Sequence, residues 1–291
     1  MFAGFTTTRI TTSSIEIFLR YGGSGPPVLL LHGYPQTHVM WHLVAPQLTE
    51  YFTVVAPDLR GYGDSAKPVG DPEHLQYAKR TMAADQVEVM ERLGFKRFAV
   101  VGHDRGARVG HRMALDYPER VSHFAALDIV PTHHMYTTFN REVATAYYHW
   151  FFLIQPFDVP EHLIGADPQY YLRRSLGGWG GGFSFFAPEA LDEYERCFCD
   201  PATIHATCED YRAAASIDLQ HDDADRDRRI DCPMLVLWGA DSVVGKHYAV
   251  VDVWRRYAEH VQGQALPGGH FLAEEQPDDV AQALRRFLRQ G

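Results

Sequence analysis

The stretch Val100-Val101-Gly102-His103-Asp104-Arg105-Gly106-Ala107-Arg108-Val109 constrains this chain more than any other. An apolar run over residues 98–101 ends in Gly102-His103-Asp104-Arg105-Gly106, and residues 107–117 then suit a helix that Pro118 stops. Glycines two places before and after Asp104 fit a sharp strand-to-helix elbow, which displays its central side chain above the end of a sheet. A carboxylate at that tip is placed to attack carbon and form an ester with its own protein. Arg105 and Arg108 follow on the first turn of the helix, three apart and so on one face.

The same rhythm recurs along the chain. Residues 28–31, 53–56, 124–129 and 234–238 are short apolar runs closed by His32-Gly33, Pro57-Asp58, Val130-Pro131 and Gly239, as buried strands are. Residues 85–93 carry Val87, Met90 and Leu93 at helical spacing, and Gly94 follows as a C-cap. The expected fold class is α/β, with a mostly parallel central sheet covered by helices on both faces. From Pro131 to about Arg229 the strand rhythm disappears into an aromatic-rich, helix-like segment. Residues 131–229 are therefore expected to form a helical cap inserted into a core of residues 1–130 and 230–291, closing a pocket over the strand ends. The glycine cluster Gly177, Gly178, Gly180, Gly181 and Gly182 is expected to be a loop.

Composition narrows the partners. The 291 residues suffice for one large α/β domain with an insertion. The net charge of −10 speaks against nucleic acid and anionic membrane, and it obliges an anionic substrate to find a local cluster of positive charge. No run of 18 apolar residues is present. Residues 1–9 lack the basic start and apolar stretch of a signal peptide. Cys197, Cys199, Cys208 and Cys232 show no CxxC pairing and read as free thiols. A cytoplasmic protein is expected.

The candidate chemistry needs more than the elbow. A nucleophile at 104, an acid later and a histidine near the end give the chain order of α/β-hydrolases. The late histidine is His270, in Pro267-Gly268-Gly269-His270-Phe271. Two acids compete for the third role. Asp128 ends an expected strand, and Asp241 follows the late strand, where the usual acid position is occupied by Ser242. Asp128 is favoured. The backbone N–H groups of Tyr34, in Leu31-His32-Gly33-Tyr34-Pro35, and of Arg105 suit an oxyanion hole.

A carboxylate nucleophile points to attack on an sp³ carbon, with halide or an epoxide oxygen leaving, and then to hydrolysis of the ester by water that histidine deprotonates. Two arginines at a helix N-terminus oppose the macrodipole. A substrate carboxylate would make them useful; the alternative is pairing with acids of the protein itself. Tyr148-His149-Trp150 and Tyr211 supply hydrogen-bond donors of the kind a departing halide needs. By composition alone these aromatics are cap core, and adjacent helical residues diverge by about 100°, so that His149 and Trp150 need not reach one site.

The sequence resembles the fluoroacetate (haloacetate) dehalogenases of the α/β-hydrolase superfamily over nearly its whole length. The likeness is carried by His32-Gly33-Tyr34-Pro35-Gln36-Thr37-His38, Asp104-Arg105-Gly106-Ala107-Arg108, Leu127-Asp128-Ile129, Tyr148-His149-Trp150, Cys208-Glu209-Asp210-Tyr211-Arg212 and Gly269-His270-Phe271. The resemblance implies Asp104 as nucleophile, His270 as base and Asp128 as its orienting acid. It implies Arg105 and Arg108 as a substrate-carboxylate clamp, His149, Trp150 and Tyr211 as the halide site, and Trp179 as pocket wall. It further implies a homodimer with no metal and no organic cofactor, acting on a small haloacid. Tyr34 departs from the phenylalanine common in that family. The rivals are an epoxide hydrolase, which shares the Asp–His–acid machinery but has no use for the arginines, and a non-catalytic binding protein on the same fold.

Overall fold

The apolar runs become the centre of one eight-stranded sheet in the computed structural model, which describes residues 1–290. The strands are β1 (Thr6–Thr11), β2 (Glu16–Gly23), β3 (Pro27–Leu31), β4 (Thr53–Pro57), β5 (Phe98–His103), β6 (Val121–Leu127), β7 (Met234–Gly239) and β8 (Val261–Leu266). Their spatial order is β1-β2-β4-β3-β5-β6-β7-β8. Every pair from β4 to β8 is parallel, whereas β2 is antiparallel to both β1 and β4. Residues of β3, β4 and β5 are buried almost without break, as strands covered on both faces must be.

β1, β2 and β8 are strands that the apolar-run criterion does not find. β1 and β8 lie at the two edges of the sheet, and most of their residues are exposed or half-exposed. An edge strand buries too little to imprint an apolar run. Helix boundaries also shift. The helix expected over residues 85–93 runs Lys79–Arg92, because its first turn is held by a tertiary contact: Lys79 N–H donates to Asp218 at 2.8 Å. Its end is as expected. Gly94 takes φ +89°, with its N–H on the Glu91 carbonyl and that of Phe95 on the Met90 carbonyl, the paired bonds of a Schellman cap.

The elbow positions the site. The helix begins at Arg105, two residues earlier than expected, and runs Arg105–Asp116. A Cβ at Gly106 would come within 2.4 Å of the His32 carbonyl oxygen, so only glycine lets this helix start against β3. Asp104 itself adopts φ +44° and ψ −115°, a conformation that costs a side-chain-bearing residue about 1–3 kcal/mol. β4 lies on one side of β3 and β5 on the other, so the winding reverses between β3 and β5, and a crevice opens there at the strand ends. Tyr34 follows β3 into that crevice and Asp104 follows β5.

Between β6 and β7 the described chain contains eight helices, from Thr132–Thr138 to Ile217–Ala224, and no strand. The glycine cluster is only partly a loop. Gly177 and Gly178 belong to the helix Pro168–Trp179, and a Cβ at Gly177 would press on the Phe183 ring at 2.6 Å. No helix of the described residues is long and apolar enough to cross a membrane. The four cysteines are free.

Candidate active site

At the strand ends a small cavity is lined by Asp104, Arg108, Asp128 and His270 from the sheet side and by Tyr147, His149, Trp150, Trp179 and Tyr211 from the helices between β6 and β7, with Val244 beside them. A larger cleft lies behind the elbow helix against His111, Asp222 and Tyr257. It contains none of the residues singled out by sequence, whereas the smaller cavity is lined by eight of them.

Three carboxylate and imidazole groups are brought together. Asp128 Oδ2 lies 2.7 Å from His270 Nδ1. Asp128 Oδ1 accepts from the Ser242 hydroxyl at 2.7 Å and from the Gly239 N–H at 3.0 Å. Asp241, the competing acid, is exposed to solvent. Ser242 thus holds the acid that it does not replace. Asp128, like Asp104, has a positive φ, +53°. Burial would lower the His270 pKa, but the hydrogen bond and charge of Asp128, then Asp104 and Glu275, raise it above the ordinary value.

Asp104 is buried, and burial alone would push its carboxyl up. The charges of His270, Arg108, His103 and Arg105 hold it below the usual carboxylate range. Its Oδ1 accepts the Tyr34 N–H at 3.1 Å. Arg105 is the first residue of the elbow helix, so its N–H has no intrahelical acceptor and is available to the same oxygen's neighbourhood. Tyr34 is fully buried, with its ring edge-on to Tyr211 at 5.3 Å and stacked over His149 at 6.1 Å.

The two arginines differ. Arg105 is committed to a protein acid: Nε and Nη2 donate to the Asp210 carboxylate at 2.9 and 2.7 Å, and Nη2 also to the Asp210 carbonyl at 2.7 Å. Pairing with a protein acid, the alternative noted for these arginines, is realised at Arg105. Burial would lower its pKa, but Asp210 raises it well above the ordinary value. Asp210 also accepts from the Tyr62 hydroxyl at 2.7 Å and pairs with the Lys79 ammonium. Arg108 donates only to neutral groups, the Val130 carbonyl at 3.0 Å and the Thr132 hydroxyl at 3.1 Å. Arg105 Nη1 and Arg108 Nε are buried and have no partner among the described residues.

His149 and Trp150 both reach the cavity although they are adjacent. They open the four-residue helix His149–Phe152, so the cavity lies off a helix tip and two diverging side chains flank it. Tyr148, their neighbour, is 45% exposed and is not part of the site. Burial lowers His149 to about 3, which keeps it neutral, and its Nδ1 has no partner among the described residues. Arg108 lies over the Trp150 ring at 4.6 Å and Arg105 over the Tyr211 ring at 4.2 Å, so each guanidinium is seated on an aromatic face. Trp179 packs on His149 at 4.3 Å. Tyr147, Ser242 and Asp210 were missed as site residues. Of these, Asp210 lies within a segment that the sequence singled out, but an acid facing inward from a helix leaves no local signature. Among the described residues no group of three or more His, Cys, Asp or Glu is arranged to hold a metal ion.

Comparisons with known proteins agree with this architecture. Residues 26–277 match the family model described as the alpha/beta hydrolase fold. A fluoroacetate dehalogenase from Burkholderia sp is 48% identical over 99% of this chain and 95% of its own. A soluble epoxide hydrolase from Corynebacterium sp. is 35% identical over 91% of each chain. A crystal structure of an alpha/beta hydrolase from Nostoc sp PCC 7120 superposes with a TM-score of 0.99, at 60% identity and over the whole of both chains.

Proposed function

This chain belongs to the α/β-hydrolase family, and on that premise we propose that it hydrolyses haloacetates, fluoroacetate and chloroacetate among them, to glycolate and halide through an ester on Asp104. The observation that carries this reading is the pair of unpartnered guanidinium N–H groups, Arg105 Nη1 and Arg108 Nε, buried beside the site. A buried donor left without a partner costs about 1–3 kcal/mol, and a substrate carboxylate would satisfy both. The likeness to the Burkholderia fluoroacetate dehalogenase supports the same reading.

The geometry supports the following steps. Tyr34 N–H holds Asp104 Oδ1, so Oδ2 is the oxygen free to attack. It displaces halide from the α-carbon: the new C–O bond forms as the C–X bond breaks, and halide departs toward His149, Trp150 and Tyr211. His270 Nδ1 is engaged by Asp128, which leaves Nε2 to take a proton from water. That water attacks the ester carbonyl, and the negative charge gathers on Oδ1 in front of the Tyr34 and Arg105 N–H groups. Collapse releases glycolate, whose alkoxide oxygen takes the proton from His270, and Asp104, left as the carboxylic acid, then gives up its proton to solvent, so that one proton is released with the halide. The helices of residues 131–229 act as the cap that excludes bulk water.

A second reading is an epoxide hydrolase. Tyr147 and Tyr211 both line the cavity, and two hydroxyls could protonate an epoxide oxygen; the Corynebacterium relative supports it. One experiment separates the two. The protein is incubated with fluoroacetate, chloroacetate and a simple epoxide, and halide, glycolate and diol are followed. Halide with glycolate is expected; diol without glycolate would replace the first reading by the second. In H270A, chloroacetate should leave a stable mass increase on Asp104.

A further inference from the structure

Glu275 has no role in the steps above, yet it grips the loop that carries His270. Its Oε2 accepts the Gly269 N–H at 2.7 Å and its Oε1 accepts the Phe271 N–H at 2.9 Å. The N–H between them, that of His270, donates to the Trp179 carbonyl at 3.1 Å. The His270 carbonyl accepts from His103 Nε2 at 2.8 Å. Three consecutive amides are committed, two of them to one carboxylate. Charge-assisted bonds of this kind are the strong ones, and a two-point grip fixes orientation as well as position. The glycines make room for it. A Cβ at Gly268 would come within 2.8 Å of Glu275 Oε2, and one at Gly180 within 3.2 Å of Oε1. Glycines before a late histidine suggest flexibility; here they are space for a carboxylate.

We propose that Glu275 is a positioning residue for His270, fixing the imidazole between Asp128 and Asp104 and holding a negative charge beside it. The inference rests on His270 being the base of the ester-hydrolysis step. The titratable groups facing the imidazole are Asp128 at Nδ1, Asp104 and His103 from the elbow, His149 from the inserted helices, and Glu275 from the following turn. Among them Glu275 is a carboxylate that neither reacts nor bonds the ring.

The test compares Glu275→Gln and Glu275→Asp with the natural protein in two measurements. An NMR titration of the His270 ring needs no substrate. Rapid-quench mass spectrometry with chloroacetate separates formation of the Asp104 ester from its hydrolysis. Glu275→Gln keeps one acceptor oxygen and loses the charge. The His270 midpoint should fall, the acid limb of ester hydrolysis should move to lower pH, and hydrolysis should slow roughly 10- to 100-fold while ester formation keeps its rate. Glu275→Asp keeps the charge but shortens the arm, so the midpoint should stay and hydrolysis should still slow. An unmoved midpoint with unchanged hydrolysis in Glu275→Gln overturns the proposal. So does equal slowing of both steps, which a merely structural role would give. Should the glutamine variant not fold, Glu275→Asp decides by its hydrolysis rate: wild-type hydrolysis overturns the proposal. If the natural protein forms no ester, the haloacetate reading fails, and the ring titration still tests Glu275.

Discussion

The two halves of the cavity are built differently. The sheet-side half, Asp104, Asp128, His270 and the Tyr34 N–H, hangs on turns that directly follow strands β3, β5, β6 and β8. The facing half, His149, Trp150, Trp179 and Tyr211, comes from helices that contribute no strand to the sheet. Backbone strain marks the first half, with positive φ at Asp104 and Asp128. Aromatic packing marks the second, with each arginine laid on a ring of the facing half. In the proposed reaction the strained half makes and breaks the ester, and the packed half seats the two arginines that bind the substrate carboxylate and receives what leaves. A change in the first should therefore stop turnover for every substrate. A change in the second should alter which substrates are turned over.

Asp128→Asn gives the largest effect expected here. It leaves the shape and removes the charge that raises His270, and turnover should fall by roughly 10⁴-fold, as when the acid of a catalytic triad is neutralised. Asp241→Asn should be near neutral. The reverse result, read from kcat on chloroacetate, would move the acid to Asp241 and break the division. Next comes Tyr211→Phe. Removing one donor from a site of developing charge costs about 10²–10³-fold, and fluoride, the poorest leaving group, should suffer more than bromide. Equal losses for fluoroacetate and bromoacetate would mean that Tyr211 is not at the halide.

Asp210→Asn tests the join between the halves, because Asp210 belongs to the inserted helices and grips Arg105 of the elbow. KM should rise more than kcat falls, since Arg105 would lose its orientation toward a carboxylate. Arg105 would also keep a buried positive charge without its counter-charge, whereas Lys79 retains Asp218 at 3.5 Å, and breaking such a buried pair costs about 3–5 kcal/mol. A thermal melt should show that loss; an unchanged KM in a variant that still folds would refute the orienting role.

The smallest effect concerns Glu274, which links Gln36 near the Tyr34 turn to Tyr194 of an inserted helix. Burial raises its carboxyl to about 8. A folded-state pKa above the unfolded one gives stability that is complete below the unfolded value and is lost as pH rises through the folded one. The natural protein should therefore lose melting temperature relative to Glu274→Gln as pH rises from 5 to 9, the contributions of all other titrating groups being common to both proteins. Parallel slopes would show that Glu274 does not titrate in this window.

The division also governs what could be read from the residues alone. The sheet-side half is local: Gly-x-Asp-x-Gly, a strand-terminal aspartate and a late Gly-Gly-His each fall within a few residues of a strand end. The strands before Asp104 and Asp128 were legible because both faces are buried; β8, before His270, and β1 were not because each is an edge strand, and β2, inside the sheet, is only half-buried over its second half. The facing half needed the family resemblance. Nothing in Tyr148-His149-Trp150 says which of three neighbours turns outward, and Tyr148 does. Asp210 and Ser242 act through partners more than a hundred residues away in sequence, and no local pattern encodes such a pairing.

The bond from Ser242 to Asp128 bears on how such a site can change over generations. The two side chains meet at 2.7 Å, so positions 128 and 242 share one small volume that accommodates one carboxylate. Asp128→Asn alone removes the acid. Ser242→Asp alone sets two like charges in contact, one of which would have to stay protonated. Made together, the two changes restore a single carboxylate beside His270 with a neutral neighbour to steady it. The acid can thus migrate from one strand end to the next only by a paired step, each half of which is harmful by itself.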